Sequence, residues 1–129
     1  PPEVLMKSIV QTTAIDIWAV GVILLAMITK RYPFFRSDID IIGLAEIATL
    51  IGTKQITELG AKLGKVIHFS FEREGSTWKQ ICEHVHPEIK GKVPKDCYNL
   101  LDKLLHPNPL YRITAQDALK HSFLKKTFK

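Results

Sequence analysis

The chain has 129 residues, 46% apolar and 24% charged, which excludes a wholly disordered or low-complexity sequence and leaves little beyond one domain. Eighteen lysines and arginines against 13 acidic residues give a net charge of +5, spread along the sequence and densest at Lys120, Lys125, Lys126 and Lys129; without an aromatic–basic stripe this excludes an evident nucleic-acid binder. Two cysteines, 15 residues apart, cannot form a disulfide framework and point to a reducing compartment or simple core use.

The chain starts at Pro1 without an initiator methionine or a secretory signal, and this start reads as a cut through a longer protein. Residues 1–11 show no sustained period. Thr12 and Thr13 each offer a side-chain oxygen to cap a helix over Ala14–Thr29. That helix is apolar all round, from Ile15, Trp18 and Val20 to Ile23, Leu25 and Met27, so it must be wrapped on every side. A pair of buried strands would give similar apolar density, but sixteen residues without a turn signal favour one helix. Its longest apolar run is twelve residues, short of the roughly 20 that cross a bilayer. Lys30, Arg31 and Pro33 end it.

Ser37, with Asp40 three residues on, predicts a capping box for a second helix with the stripe Ile41, Leu44, Ala45 and Ala48 and a stop at Gly52. Thr53 predicts the cap of a third, with Ile56, Leu59 and Leu63 on one side and Gly64 as its stop. Residues 65–75 are the least readable. Trp78, Ile81, Cys82 and Val85 then repeat at helical spacing up to Pro87, and residues 88–94 read as a polar loop. Cys97, Leu100, Leu101, Leu104 and Leu105 define a fifth helix, broken by His106-Pro107-Asn108-Pro109. Thr114 predicts the cap of a last helix with Ala115, Ala118 and Leu119 inward. The expectation is a mainly α domain of about six helices around a central buried one, with essentially no sheet.

Few residues suggest chemistry. Cys82, His84 and His86 would share a face only in a strand; on the expected helix they diverge, and no paired cluster completes a zinc set. No nucleophile elbow and no phosphate-gripping glycine loop occurs, and Cys97 on the apolar stripe reads as an inert thiol. Two charges resist a bland reading. Asp16 is the lone carboxylate of the apolar helix and either assists its cap or orients backbone from another segment. Arg112, just before the last helix, is either surface charge or half of a buried bidentate pair for which Glu3 is one available partner.

At this point the residues resemble a known family. Pro1-Pro2-Glu3 resembles the Ala-Pro-Glu motif that closes the activation segment of eukaryotic protein kinases, with proline in place of alanine. Asp16-Ile17-Trp18-Ala19-Val20-Gly21 resembles the Asp-x-Trp-x-x-Gly motif of their central helix, and Tyr32-Pro33-Phe34-Phe35 the Pro-Phe that follows it. Arg112 falls where their late arginine lies, followed by Ile113, Thr114, Ala115 and then Ala118-Leu119, His121 and Phe123. Four such motifs in this order imply residues 1–129 to be the second half of a kinase C-lobe. Among kinases, residues 12–18, Arg31-Tyr32-Pro33-Phe34-Phe35, residues 45–52 and Leu100-Leu101-Asp102-Lys103-Leu104-Leu105 are most similar to the cell-division-cycle kinases that trigger replication origins with a dedicated activating subunit. That group carries a long insert where residues 83–95 are short here. Cyclin-dependent and casein-type kinases share the flavour of Leu50-Ile51-Gly52-Thr53, and a pseudokinase remnant or non-catalytic helical module would carry the same motifs.

The resemblance implies roles. Glu3 and Arg112 would form the buried pair that anchors the end of the activation segment. Asp16 would accept backbone N–H groups of the catalytic loop, Trp18 and Gly21 would pack, and Pro2 and Leu5 would lie beside the substrate. It implies a serine/threonine kinase parent that uses ATP and Mg²⁺, acts on proteins in the nucleus at the start of DNA replication, and requires an activating subunit, with no direct nucleic-acid or membrane partner. The glycine-rich loop, the lysine–glutamate pair, His-Arg-Asp and Asp-Phe-Gly are all outside these residues. The catalytic and cofactor residues would therefore belong to the missing N-terminal part, and the chain alone would be inactive. Without that part, the central helix should expose an apolar patch.

Overall fold

A computed structural model describes residues 1–9 and 11–127, and the side chains of 126 and 127 lie outside the description, as do 128 and 129. The lysine-rich tail is thus described at Lys120 and Lys125 but not at the Lys126 side chain or Lys129. The described residues form eight α-helices and no strand: α1 Pro2–Leu5, α2 Ala14–Thr29, α3 Asp40–Ile51, α4 Thr53–Lys62, α5 Trp78–Val85, α6 Lys95–Leu104, α7 Ala115–Leu119 and α8 Ser122–Thr127, with a 3₁₀ turn at Pro87–Ile89 before α6. Six helices were expected; the additional two are the short α1 and α8, each too brief for a hydrophobic period to show.

The central helix α2 packs against α5 and α6, and α3 against α1 and α4. One core gathers Trp18, Leu25, Ile47, Ile56, Trp78 and Leu101; a smaller one joins Leu100, Leu104 and Ala118, with Ile17, Ile113 and Phe123 packed on it. At the α2–α6 crossing, a Cβ on Gly21 would lie 2.6 Å from Leu105 Cδ2 and 3.0 Å from Leu104 Cβ. Only a residue without a side chain lets the two helices approach this closely.

The central helix is not wrapped on every side. Trp18, Gly21, Leu25 and Thr29 are buried, one residue per turn, while Val20, Ile23 (59% exposed) and Met27 (70%) face outward. The outward face continues into a cleft of about 330 Å³ walled by Val22, Ala26, Pro33 and Phe35.

Local capping differs from the sequence expectation in several places. Thr13 makes no cap bond, and Thr12 Oγ1 accepts instead from the Ala14 N–H at 3.2 Å. Ser37 does not cap α3: its hydroxyl closes a turn on Ile39, and the helix starts three residues later. The Glu46 carboxylate reaches back from within α3 to accept from the N–H of Ser37 and of Arg36. Thr53 lies inside α4 behind Gly52, and its hydroxyl accepts the Arg73 N–H, fastening the segment that sequence could not read. That segment closes on α3 where Ser76 N–H bonds to Leu50 O, and a Cβ on Gly75 would sit 1.9 Å from Ile51 O. A capping box does form at Thr77 and Gln80 ahead of α5. Thr114 caps α7 through the Asp117 N–H and Ala118 points inward, but Ala115 and Leu119 are exposed because α7 stops after five residues.

Candidate functional site

A proline at the first helical position starts α1 with φ preset for a helix, and the first turn carries Glu3 into the interior. From the other end of the sequence, the loop after α6 is shaped by Asn108, whose side chain accepts the Leu110 N–H and whose carbonyl accepts the N–H groups of Tyr111 and Arg112. This turn aims Arg112 back at α1.

The two side chains are 109 residues apart and fully interior, with 0% and 1% of Arg112 and Glu3 exposed. The pair is bidentate: one terminal guanidinium nitrogen donates to Glu3 Oε2 at 2.8 Å and the other to Oε1 at 3.0 Å. The remaining three N–H groups donate to carbonyls, to Ala14 O at 2.8 Å, His106 O at 2.9 Å and Pro107 O at 3.2 Å. All five donors of the guanidinium are satisfied, the condition under which an interior charge is tolerated. Its Cζ lies over the Trp18 ring, 5.2 Å from the ring centre. Arg112 thereby fixes α1, the first turn of α2 and the post-α6 loop to one another. Sequence pointed to Glu3 and Arg112 but missed the three carbonyls, because His-Pro-Asn-Pro announces a helix break and not the direction of its carbonyls.

Asp16 is elsewhere. It is exposed in the first turn of α2, where water and the helix N-terminus both stabilise a carboxylate, as the helix-end alternative requires. Pro2 is buried beside Glu3; Leu5 is half-buried and its Cδ1 sits 3.6 Å from where a Gly43 Cβ would be. Trp18 and Gly21 both face the core, toward Arg112 and α6 respectively.

Other reactive side chains do not gather around the pair. Cys82 and Cys97 are buried free thiols, and burial pushes the Cys82 thiol up to about 12, a value at which it is not a nucleophile near neutrality. His84 is exposed, while His86 approaches Ile28 O, so Cys82, His84 and His86 do not converge. His121 Nε2 lies 2.7 Å from Asn99 Oδ1, between α8 and α6. Burial lowers His106 below its ordinary 6.5, with the Arg112 and Lys62 charges acting in the same direction. Among the described residues no group of three or more His, Cys, Asp or Glu could hold a metal ion, and no helix is long and apolar enough to cross a membrane. The arrangement binds chain segments together.

Residues 1–124 match the protein kinase domain family. The chain is 50% identical over 126 residues to a probable serine/threonine-protein kinase cdc7 of Dictyostelium discoideum, covering 95% of this chain and 12% of that protein. It is 39% identical over 125 residues to a probable cell division control protein 7 homologue of Encephalitozoon cuniculi (95% and 35%). It is 30% identical to the human cell division cycle 7-related protein kinase over 189 residues (96% and 33%). The chain thus spans about a third or less of these relatives. The human match is longer than this whole chain, so that relative carries residues absent here within the matched span.

Proposed function

Since the chain belongs to the protein kinase domain family, we propose that it is the scaffold half of a C-lobe, running from the end of the activation segment to the last helix, in a serine/threonine kinase of the cell-division-cycle 7 type. The observation that carries this reading is the Glu3–Arg112 pair, which fastens a Pro-Pro-Glu segment at one end to the late arginine at the other with every donor satisfied. In this reading the pair holds the end of the activation segment, Pro2 and Leu5 flank bound protein substrate, and Trp18 and Gly21 keep the central helix seated.

The residues present do not fit a Mg²⁺–ATP site. No three metal-binding side chains meet among those described, and none of the glycines lies in a phosphate-binding loop. Phosphate transfer is therefore assigned to the rest of the parent, and the chain alone is inactive. The exposed line Val20, Ile23 and Met27 supports the same division: it is the face of α2 that the N-terminal part of the kinase would cover, bringing Asp16 into contact with the catalytic loop. A dedicated activating subunit, protein substrates and a nuclear role in starting DNA replication follow from the likeness to the cell-division-cycle 7 kinases.

The test is transfer of radiolabelled phosphate to a protein substrate by the full-length protein, with and without a candidate activating subunit. Transfer that depends on the subunit supports this reading. Transfer without it favours an autonomous kinase of the casein type, and none under either condition favours a non-catalytic module or pseudokinase remnant.

A further inference from the structure

The segments that the ion pair fastens leave a cleft on the outside of the fold, about 490 Å³ in volume. One wall is Ser8, Ile9 and Thr12, which follow α1; another is the loop that leads into Arg112; the floor is the C-terminal end of α4. Its apolar surface comes from Ile9, Leu63, Pro109 and Leu110, and two of these, Ile9 (96% exposed) and Leu110 (84%), stand almost fully in water. Lys62 and Lys65 line the same cleft.

The charge at this cleft is one-sided. Glu3 is the sole carboxylate in its lining, and Arg112 neutralises it. Among the described residues neither Lys62 nor Lys65 is in an ion pair, whereas Lys7 pairs with Asp40 and Lys54 with Glu58. The Lys62 ammonium lies 5.6 Å from the Tyr111 ring centre, which holds it at the edge of the cleft. The wide cleft between α4 and residues 67–74 contrasts with it, because Lys54 and Arg73 are there balanced by Glu58, Glu72 and Glu74. A surface with two unpaired cations around aliphatic walls is complementary to carboxylates flanking an aliphatic side chain.

We infer that this cleft is a docking site for an acidic extended segment of a partner protein, a leucine or isoleucine entering between Ile9 and Leu110 while flanking carboxylates meet Lys62 and Lys65. Single-stranded nucleic acid is the other polyanion to weigh, but it is held by stacking on aromatic platforms and these walls are aliphatic. The inference goes beyond the proposed activity: binding here requires neither nucleotide nor phosphate transfer, so it fails or stands independently of the catalytic reading.

The experiment measures fluorescence anisotropy on the full-length protein with a fluorescein-labelled peptide in which one leucine is flanked by glutamates. A serine-for-leucine peptide and a single-stranded DNA of equal charge are the comparison probes. The proteins are the natural sequence, the double variant Lys62→Glu/Lys65→Glu, and a charge-matched control, Lys90→Glu/Lys92→Glu, on the exposed turn before α6. We expect the leucine peptide to bind the natural protein, and the Lys62/Lys65 variant to bind it about tenfold more weakly. The control should change affinity by less than about twofold, and the serine peptide should bind about tenfold more weakly than the leucine one. Lys62, Lys90 and Lys92 are exposed and Lys65 is half-buried, so matching melting curves are required to show that the variants fold. The inference is overturned if the leucine peptide does not bind, if the control loses as much as the Lys62/Lys65 variant, if serine serves as well as leucine, or if DNA binds with the same lysine dependence.

Discussion

Replacing Arg112 with alanine removes one side chain and strands four acceptors. The Glu3 carboxylate, itself buried, loses both of its guanidinium bonds, and the carbonyls of Ala14, His106 and Pro107 lose theirs. Breaking a buried pair from one side costs about 3–5 kcal/mol, most of it from the carboxylate left without a partner. The loss in stability expected for Arg112→Ala in the full-length protein is of that order, read as a drop in the urea midpoint at unchanged slope. Arg112→Lys keeps the charge but cannot reproduce five fixed donors, so its loss should fall between zero and that of alanine. The double replacement Glu3→Leu with Arg112→Met should recover part of the stability, because no buried charge remains, but not all of it, because the three carbonyls still lack donors. A loss below about 1 kcal/mol for Arg112→Ala would refute the reasoning.

Further outcomes follow from other contacts. Gly75→Ala would push a methyl into the Ile51 carbonyl and Gly21→Ala one into Leu105, and each should cost about 1–3 kcal/mol in the same urea assay. Lys30 ends α2 at φ 56°, a left-handed conformation that suits glycine, so Lys30→Gly should stabilise by about 0.5–1 kcal/mol. Burial holds the pKa of His106 in the folded chain below the ordinary 6.5. The unfolded chain then binds the proton more readily, so stability should fall as pH drops below 6.5, and His106→Asn should flatten that part of the profile. Cys82, pushed up to about 12 by burial, should resist a thiol reagent at neutral pH until the chain unfolds. Labelling of Cys82 at the rate of a free thiol would contradict its placement in the core.

The long elements were legible because their periods run for several turns. Trp78, Ile81, Cys82 and Val85 marked α5, and the leucine stripe marked α6, close to their observed bounds. Four-residue α1 and six-residue α8 gave no period to read. Caps were harder: Ser37 and Thr53 carry suitable hydroxyls, but other partners claimed them, a local turn at Ile39 for one and the distant Arg73 N–H for the other. The 65–75 segment is held by Thr53, by Phe69 and Ile67 packed on the core, and by the near contact at Gly75, all long-range features without local pattern. At the site, residue types and their place in a family pattern suggested Glu3 and Arg112, whereas the carbonyls that complete the guanidinium shell depend on backbone direction alone. Asp16 shows the opposite case, since it was read as capping its helix or orienting another segment, and among these residues its carboxylate stands in solvent.

The central claim is that these residues hold a kinase together without supplying its chemistry, and one side-by-side phosphorylation assay tests it. The full-length protein with a candidate activating subunit should transfer labelled phosphate to a protein substrate, and the 129-residue chain under the same conditions should transfer none. Transfer by the short chain, or none by the complete protein, would contradict it.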